Sequence, residues 1–437
     1  MQLHGWGRFP GVTAELLEPP TRESIQKLFG TKKKHGPMIP RGAGRSYGDS
    51  SLADTVLSSR FLDSFLEFNA TTGIIKCGAG VSMGALLTVI IPEGFFAPVL
   101  PGTKFVSIGG AIAADIHGKN HHTDGSFCDH VRSFSLLLSS GEIIQCSRDE
   151  NRDAFLATCG GMGLTGIIIN ATISLHKVSS VFIKRNSIIA KNLDDCMDLI
   201  DQNEDSKHSF AWLDCLARGK SLGRSILHLA DHCADGLQQP KSRVSLSVPF
   251  GTPGFFLNRF SNKLFNNAIY EMWKHRKNPS IVNYDSYFFP LDNIRNWNRL
   301  YGSKGFLQYQ FVMPSSSARE GIREILKIVS ESSTGSFISV LKKFGNANQN
   351  LLSFPTAGYT LALDFKNEPS VFPLLSKLDE VLLAHGGRLY LAKDSRMSED
   401  VFKAAYPNWE RFVEIKKTLD PSNTFVSHQS MRLGLTQ

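Results

Sequence analysis

Cysteine is sparse in this chain and poorly placed for cross-linking. The 437 residues hold seven: Cys77, Cys128, Cys146, Cys159, Cys196, Cys215 and Cys233. The number is odd and no pair forms Cys-x-x-Cys, so reduced thiols are expected rather than a disulfide frame or a cysteine-built zinc site. Neither GxxxxGK[ST] nor a GxGxxG placed after a strand occurs, which excludes P-loop and Rossmann readings, and HExxH is missing too. Long apolar runs are also lacking. The most apolar stretch, 81–100, is broken by Pro92, Glu93 and Gly94, so no bilayer-spanning helix is expected. The opening MQLHGWGRFPGV has no basic region followed by an apolar run, and no signal peptide is expected. A cytoplasmic or peripherally membrane-associated protein follows as the expectation. No repeat or low-complexity block stands out, and no basic stripe, helix-turn-helix or aromatic platform favours nucleic acid. The run Lys32-Lys33-Lys34 reads as a solvated turn.

The composition is that of a folded protein, with 42% apolar residues, 20% charged residues and 37 glycines. One core rarely grows beyond ~250–300 residues, so more than one domain is expected. The net charge of +8 suits an anionic ligand or a membrane surface. Most glycine clusters fall in the first 175 residues, among short β-like runs at 73–80, 133–138 and 166–175. Ser82 is placed to cap a helix over 83–90. SSGE at 139–142 reads as a hairpin turn. After about residue 180 the segments lengthen. Strands are expected at 209–215, 284–290, 305–314, 336–344 and 359–365, and helices at 292–301, 317–330 and 370–385. In 305–314, Phe306, Gln308, Gln310 and Val312 alternate with Leu307, Tyr309 and Phe311, giving a strand with one polar or ligand-facing side. A last helix in YPNWERFVEIKKTLDP ends at Asp420-Pro421.

Three glycine segments carry the chemistry. In PRGAGRSYGDSS (40–51), Gly42, Gly44 and Gly48 permit tight turns that expose successive N–H groups, and Arg41 and Arg45 add charge. Such a nest suits a pyrophosphate. In 101–127, Gly109 and Gly110 open a run of small residues against which a flat ligand can press. The nearby His117, His121 and His122 invite a metal reading, but adjacent histidines diverge and no partner motif accompanies them, so no metal is expected. CGGMGLTGIII (159–169) is the third segment. Three such loops within 130 residues point to an extended phosphorylated cofactor.

RGAGRSYGD, VLPGTKFVSIGGAIAADIHGKNHH, GFLQYQFV, GGRLYLAKDSR and KKTLDPSNTF, in that order, resemble the PCMH-type FAD-linked oxidoreductases of the vanillyl-alcohol-oxidase superfamily. The likeness runs nearly end to end and is greatest to its polyprenylphosphoryl-ribose 2′-oxidase branch. It implies an α+β fold: a two-lobed PCMH-type FAD-binding domain (1–180), an inserted α+β substrate domain with an antiparallel sheet covered by helices (181–387), and a C-terminal segment (388–437) completing the FAD domain. By resemblance, Pro40, Arg41, Gly42, Ala43, Gly44, Arg45, Ser46, Tyr47, Gly48, Asp49 and Ser50 wrap the FAD pyrophosphate. Gly102, Ser107, Ile108, Gly109, Gly110, Ala114, Asp115, Ile116 and His117 line the flavin and its linker. Ile167 meets the adenosine part and Tyr390 lies near the flavin. Many relatives carry a histidine bonded to the flavin where this chain has Arg45. Arginine cannot form that bond, so dissociable FAD is implied.

The implied reaction is oxidation of the 2′-hydroxyl of a polyprenylphosphoryl-β-D-ribose to the 2′-keto compound, the first half of epimerisation to the arabinose form. An NAD(P)H-dependent short-chain reductase is the implied partner, with peripheral membrane contact for the lipid. Lys393 takes the family's active-site lysine position, to stabilise charge on the reduced flavin. Lys119, Lys342 and Tyr47 complete the pocket; the fixed Phe-Gly that follows favours Lys342 over Lys343. Gln308 and Gln310 are placed to hold ribose hydroxyls or to form an interior network. His117 and Tyr47 both stand as proton acceptors, and the sequence does not choose between them. Phe288, Phe289, Trp297, Tyr309 and Phe311 offer apolar lining or core. Mycobacterial relatives carry cysteine beside the flavin where this chain has Ala362. A soluble sugar, polyol or aldonolactone is the alternative substrate.

Overall fold

A computed structural model describes residues 1–30, 36–234, 246–248, 259–332, 334–336 and 338–436. The 32–34 lysine run and Phe337 of the expected 336–344 strand lie outside the described residues. Near the N-terminus, a parallel sheet places Thr55–Ser58 between Glu15–Leu17 and Met38–Arg41. A second, antiparallel sheet runs Ile143–Ser147, Val131–Leu137, Ile167–Ser174, Ile74–Gly78, Phe65–Asn69. The expected hairpin is its edge: Ile143–Ser147 pairs back on Val131–Leu137, closed by the Leu138 amide donating to Glu142 O at 2.9 Å. Met83–Ile90 starts at Ser82, whose hydroxyl accepts the Ala85 amide at 3.1 Å.

The third sheet has eight strands in the order Ser280–Asn283, Phe182–Ala190, Ser225–His232, His208–Leu213, Ser339–Phe344, Gly358–Lys366, Phe306–Pro314, Arg388–Leu389. Every pairing in it is antiparallel. Helices Leu193–Asp201, Ser315–Glu331 and Val371–Ala384 pack against it. In Ser315–Glu331, the buried Ala318, Ile322, Ile325, Leu326 and Val329 recur at helical spacing, so one apolar stripe meets the sheet. Strand alternation then assigns the faces. Tyr309, Phe311, Tyr359, Leu361 and Leu363 are core, while Gln308, Gln310, Ala362 and Asp364 line a cleft.

The chain leaves the second sheet at Ser174 and enters the third at Phe182. The last strand of the third sheet, Arg388–Leu389, falls just past residue 387. The C-terminal segment then returns to the start of the chain, where the Met38 amide donates to Thr424 O at 2.7 Å and the Val426 amide to Met38 O at 2.9 Å. Trp409–Leu419 is the expected helix before Asp420-Pro421, and a short helix, His428–Arg432, follows it. All seven cysteines are free thiols. No helix among the described residues is long and apolar enough to cross a membrane.

Two expected elements differ. The aromatic run at 284–290 is not a strand: Tyr284–Phe288 is a short helix, because the Asn283 side chain accepts the Asp285 amide at 2.8 Å and caps it. The expected helix at 292–301 is split into a bridge strand, Ile294–Arg295, and a 3-10 turn, Trp297–Tyr301. Asn296 between them sits in the left-handed region at φ +57°, which breaks a right-handed helix.

Candidate active site

A cleft of about 2000 Å³, its open mouth included, lies between the glycine loops and the free face of the eight-stranded sheet. The 40–51 loop is fixed from outside. The Trp6 amide donates to Ser46 O at 2.8 Å, the Gly7 amide to Tyr47 O at 3.1 Å, and the Tyr47 amide to Ala392 O at 2.9 Å. Gly44 takes a left-handed φ of +62°. A Cβ on Gly42 would stand 2.1 Å from Ser107 Oγ, so loop and helix start touch only because that side chain is missing. Ser107 begins the Ile108–Ala113 helix and accepts the Gly110 amide at 3.3 Å.

The cleft gathers Pro40, Gly42, Ala43, Gly44, Arg45, Ser46, Tyr47, Ser50, Gly102, Ser107, Gly109, Gly110, Ala114, Ile116, His117, Ile167 and Tyr390. Five of the expected cofactor residues do not line it. Ile108 is core. Gly48 packs on the Asp394 carbonyl. The Arg41 guanidinium donates to His4 O at 2.8 Å and to Ser51 Oγ at 3.1 Å. Asp49 accepts from Arg432 at 2.8 Å. Asp115 accepts from Cys128 N, Asn348, Asn350 and Ser353 at 2.7–3.0 Å. These groups hold the loops in shape.

On the sheet side, register sets the cluster. Gln308 stands opposite Asp364, Gln310 opposite Ala362, and Lys342 opposite Thr360. The Gln308 amide and, at 3.2 Å, the Tyr301 hydroxyl donate to Asp364. The Gln310 amide donates to His117 Nε2 at 2.9 Å and to Thr360 Oγ1 at 3.3 Å. The ring of His117 packs on Phe344 (4.8 Å) and Tyr390 (5.4 Å). Tyr390 stacks on Phe354 at 4.6 Å and donates its hydroxyl to Ala114 O at 3.0 Å. Lys393 follows in the turn after Arg388–Leu389, and its Nζ lies 3.6 Å from the centre of the Tyr47 ring. Lys119 donates to the Tyr287 and Phe288 carbonyls and sits over the Phe210 ring at 4.5 Å. Lys343 faces away, paired with Asp201 and Glu204. Of the aromatic candidates, Phe288 and Trp297 line the cleft; Phe289, Tyr309 and Phe311 do not. His121 and His122 diverge, His121 Nδ1 accepting the Gly345 amide and His122 Nε2 meeting Ser206 O.

Desolvation dominates the electrostatics. It lowers Lys342 to about 8. It pushes Lys393 down, with Asp364 opposing and Lys342 adding to the fall. Lys119 drops for the same two reasons, burial and then Lys342. His117 falls well below its ordinary value, by burial and then Lys342, and is neutral at pH 7. Tyr47 rises through burial and Asp364, so its phenol keeps its proton. Burial raises Asp364, against Gln308 and Lys393. Four basic side chains line the cleft, Arg45, Lys119, Lys342 and Lys393, against two carboxyls, Asp292 and Asp364. Such a wall favours anionic ligands.

The residues fit FAD. The Arg45 Nε is buried without a partner, its guanidinium lies between Trp6 (4.7 Å) and Phe105 (5.2 Å), and Gly102 presents bare backbone to open space. A flat, phosphate-bearing ligand matches that donor set. Sequence reasoning missed Asp364 and Asp292. Asp364 is the one acidic group in a mostly apolar strand, on the side that alternation assigns to Thr360 and Ala362. Asp292 accepts the Lys104 amide at 2.8 Å and the Thr103 hydroxyl at 3.2 Å, a long-range contact with no local signal.

Comparison with known proteins bears on the cofactor and the family. A profile of FAD binding domains matches residues 14–147, and one of D-arabinono-1,4-lactone oxidases matches 305–433. The decaprenylphosphoryl-β-D-ribose oxidase of Mycolicibacterium smegmatis is 35% identical over 99% of this chain and 97% of its own. An uncharacterised Streptomyces coelicolor protein is 31% identical over 81% of this chain and 100% of its own. The L-gulono-1,4-lactone dehydrogenase of Mycobacterium tuberculosis is 20% identical over 98% of both chains. With its PCMH-type FAD-binding fold, the chain belongs to the decaprenylphosphoryl-β-D-ribose oxidase family of FAD-dependent oxidoreductases acting on CH–OH groups.

Proposed function

We propose that the protein oxidises the 2′-hydroxyl of a polyprenylphosphoryl-β-D-ribose to the 2′-ketone. The observation that carries this reading is full-length similarity to the M. smegmatis oxidase, joined to a cleft lined by Lys119, Lys342, Gln308 and Gln310. When bound, FAD supplies the two-electron acceptor for the hydride lost from the carbinol carbon. Pro40–Ser50 and Gly102–His117 would hold it, with Arg45 toward its phosphates. Because Arg45 offers no nucleophile for a covalent link, the FAD dissociates on acid precipitation; yellow colour kept in the pellet overturns this.

The side chains divide the remaining work. Lys342 and Lys119 attract the phosphate. Gln308 and Gln310 meet ribose hydroxyls. Tyr47, kept protonated, donates a hydrogen bond. His117 is neutral, and a substrate that takes up the Gln310 amide would free its Nε2 lone pair for the hydroxyl proton, so it is the proton acceptor we assign. Lys393, when charged, offsets negative charge developing in the cleft. The product is a ketone, so epimerisation needs a second hydride from an NAD(P)H-dependent reductase.

The test is anaerobic mixing of FAD-loaded protein with a polyprenylphosphoryl ribose. Flavin absorbance is expected to fall, and an unchanged spectrum overturns the reading. The match of residues 305–433 to lactone oxidases favours one second reading, a soluble aldonolactone or sugar. Bleaching by such a compound, with none by the lipid phosphate, would reverse the order.

A further inference from the structure

Asp115 occupies a position that glycine usually takes. It follows the helix Ile108–Ala113, whose end is closed by the Asp115 amide donating to Ile112 O at 3.0 Å and the Ile116 amide to Ala111 O at 3.1 Å. That pair of bonds makes a Schellman turn, which needs a left-handed residue where Asp115 stands. Its φ is +37°, a conformation unfavourable for any residue with a Cβ. Glycine would serve the turn without that penalty, so the side chain has another task.

The carboxylate is fully buried. It accepts from Cys128 N at 3.0 Å, Asn348 Nδ2 at 2.8 Å, Asn350 Nδ2 at 2.9 Å and Ser353 Oγ at 2.7 Å. Three of these donors come from one distant segment, the connection between the sheet strands Ser339–Phe344 and Gly358–Lys366. That connection does not turn straight back into the sheet. It reaches across to the glycine-rich side, where the Gly345 amide donates to His121 Nδ1 at 3.1 Å and the Leu351 amide to Leu156 O at 3.3 Å.

The same segment carries the packing around His117, two residues beyond Asp115. Phe344 at its start and Phe354 near its end lie 4.8 and 5.9 Å from the imidazole. Phe354 also stacks on Tyr390, the third ring against His117. His117 Nδ1 faces Gly118 O at 3.5 Å, which leaves Nε2 as the nitrogen open to a proton. Asp115 therefore holds both parts of this arrangement. Its backbone sets the point from which His117 leaves the helix, and its carboxylate holds the segment whose rings box the imidazole.

We infer that Asp115 is a positioning residue for His117, its carboxylate tying the 345–354 connection to the helix end so that the imidazole keeps one orientation in the cleft. The inference rests on the reading of His117 as proton acceptor only for its catalytic consequence. A misplaced acceptor slows the chemical step without changing how the substrate is held.

Two variants test it. Asp115→Gly keeps the left-handed turn and deletes the carboxylate; Ser353→Ala removes one donor and leaves the turn and the charge intact. Each FAD-loaded protein is mixed anaerobically with a polyprenylphosphoryl ribose. In Asp115→Gly the limiting rate of flavin reduction is expected to fall tenfold or more, with the half-saturating substrate concentration within about twofold of wild type. In Ser353→Ala the rate falls severalfold. The second readout is the His117 ring itself, followed by NMR in histidine-labelled protein and assigned with His117→Gln. Its resonance, displaced by the surrounding rings, should move toward that of an exposed histidine in both variants. If Asp115 only closes the helix, glycine replaces it fully, and a rate and resonance equal to wild type in Asp115→Gly overturn the inference. A slower rate with an unmoved resonance overturns it too. Should Asp115→Gly fail to fold, Ser353→Ala decides by the same two readouts. If His117→Gln reduces flavin as fast as wild type, the proton-acceptor assignment fails, and if wild type does not oxidise the lipid-linked ribose, the proposed activity fails; in either case the His117 resonance still decides what Asp115 positions.

Discussion

Burial and Lys342 disfavour the charged form of Lys393, and among the described residues Asp364 is the carboxyl that favours it. Replacing it by asparagine removes the opposing effect, so the lysine falls further. The sign is direct: Asp364→Asn moves the alkaline limb of kcat/KM to lower pH by a unit or more, and activity at pH 7 drops with it. A merely structural role would lower activity without moving the profile. Lys342 stands on the other side of a trade between function and stability. Its ammonium is lowered to about 8 by desolvation, so holding it charged costs folding free energy below that pH. Lys342→Met keeps the stem and removes the charge. It is expected to raise thermal stability by on the order of 1–3 kcal/mol while raising KM for a phosphate-bearing substrate at least tenfold. A melt and steady-state kinetics on one preparation check both halves.

At the scale of elements, the contact between the 40–51 loop and the Ile108–Ala113 helix shapes the cofactor side of the cleft. Gly42→Ala drives a methyl into Ser107, and FAD affinity measured by fluorescence quenching should fall tenfold or more. Adding Ser107→Gly removes the atoms it strikes, so the double variant should recover part of the loss despite losing the helix cap. Much of this region was legible in sequence because glycine and serine act locally: Ser82 caps its helix, and the loop glycines turn where expected. The sheet strand 305–314 was legible because its alternation is strict. What the sequence did not show depended on particular side chains or on distance. Asn283 turns an aromatic run into a helix, and Asn296 splits a segment that reads as one. The Phe-Gly that follows already favours Lys342 over Lys343, but their partners were not legible: alternation sets Thr360 opposite the first and Asp201 with Glu204 against the second. Asp364 sits in an apolar strand, and its role emerges only when Gln308 is laid opposite it.

Over the whole molecule, the loops beside the cleft are braced by a clasp between the two ends of the chain. Arg432 donates to Asp49 at 2.8 Å and to Asp394 at 2.9 Å, joining the C-terminal helix His428–Arg432 to the glycine loop and to the turn that carries Lys393. Its guanidinium also donates to Met397 O. Both carboxylates are buried, at 4% and 6% exposure. Burial alone would raise Asp394, but Arg432 and the Arg396 and Met397 amides outweigh it and hold the carboxyl below its ordinary range. A depressed carboxyl stabilises the fold above its unfolded pKa, and that stability is lost as pH falls through the lower folded value, so this part of the clasp weakens only in acid, below about pH 4. Arg432→Ala leaves two buried acids without the cation they share, Arg396 acting on Asp394 alone. The expected cost is about 3–5 kcal/mol in chemical denaturation at pH 7, with FAD loading reduced in the folded fraction because Tyr47 and Lys393 lose their shared support. Arg432→Lys restores a point charge but not the fork that reaches both carboxylates, so it should recover only part of the stability. Alanine and lysine variants that melt with wild type would show that the chain ends are held by the Met38, Thr424 and Val426 backbone contacts alone.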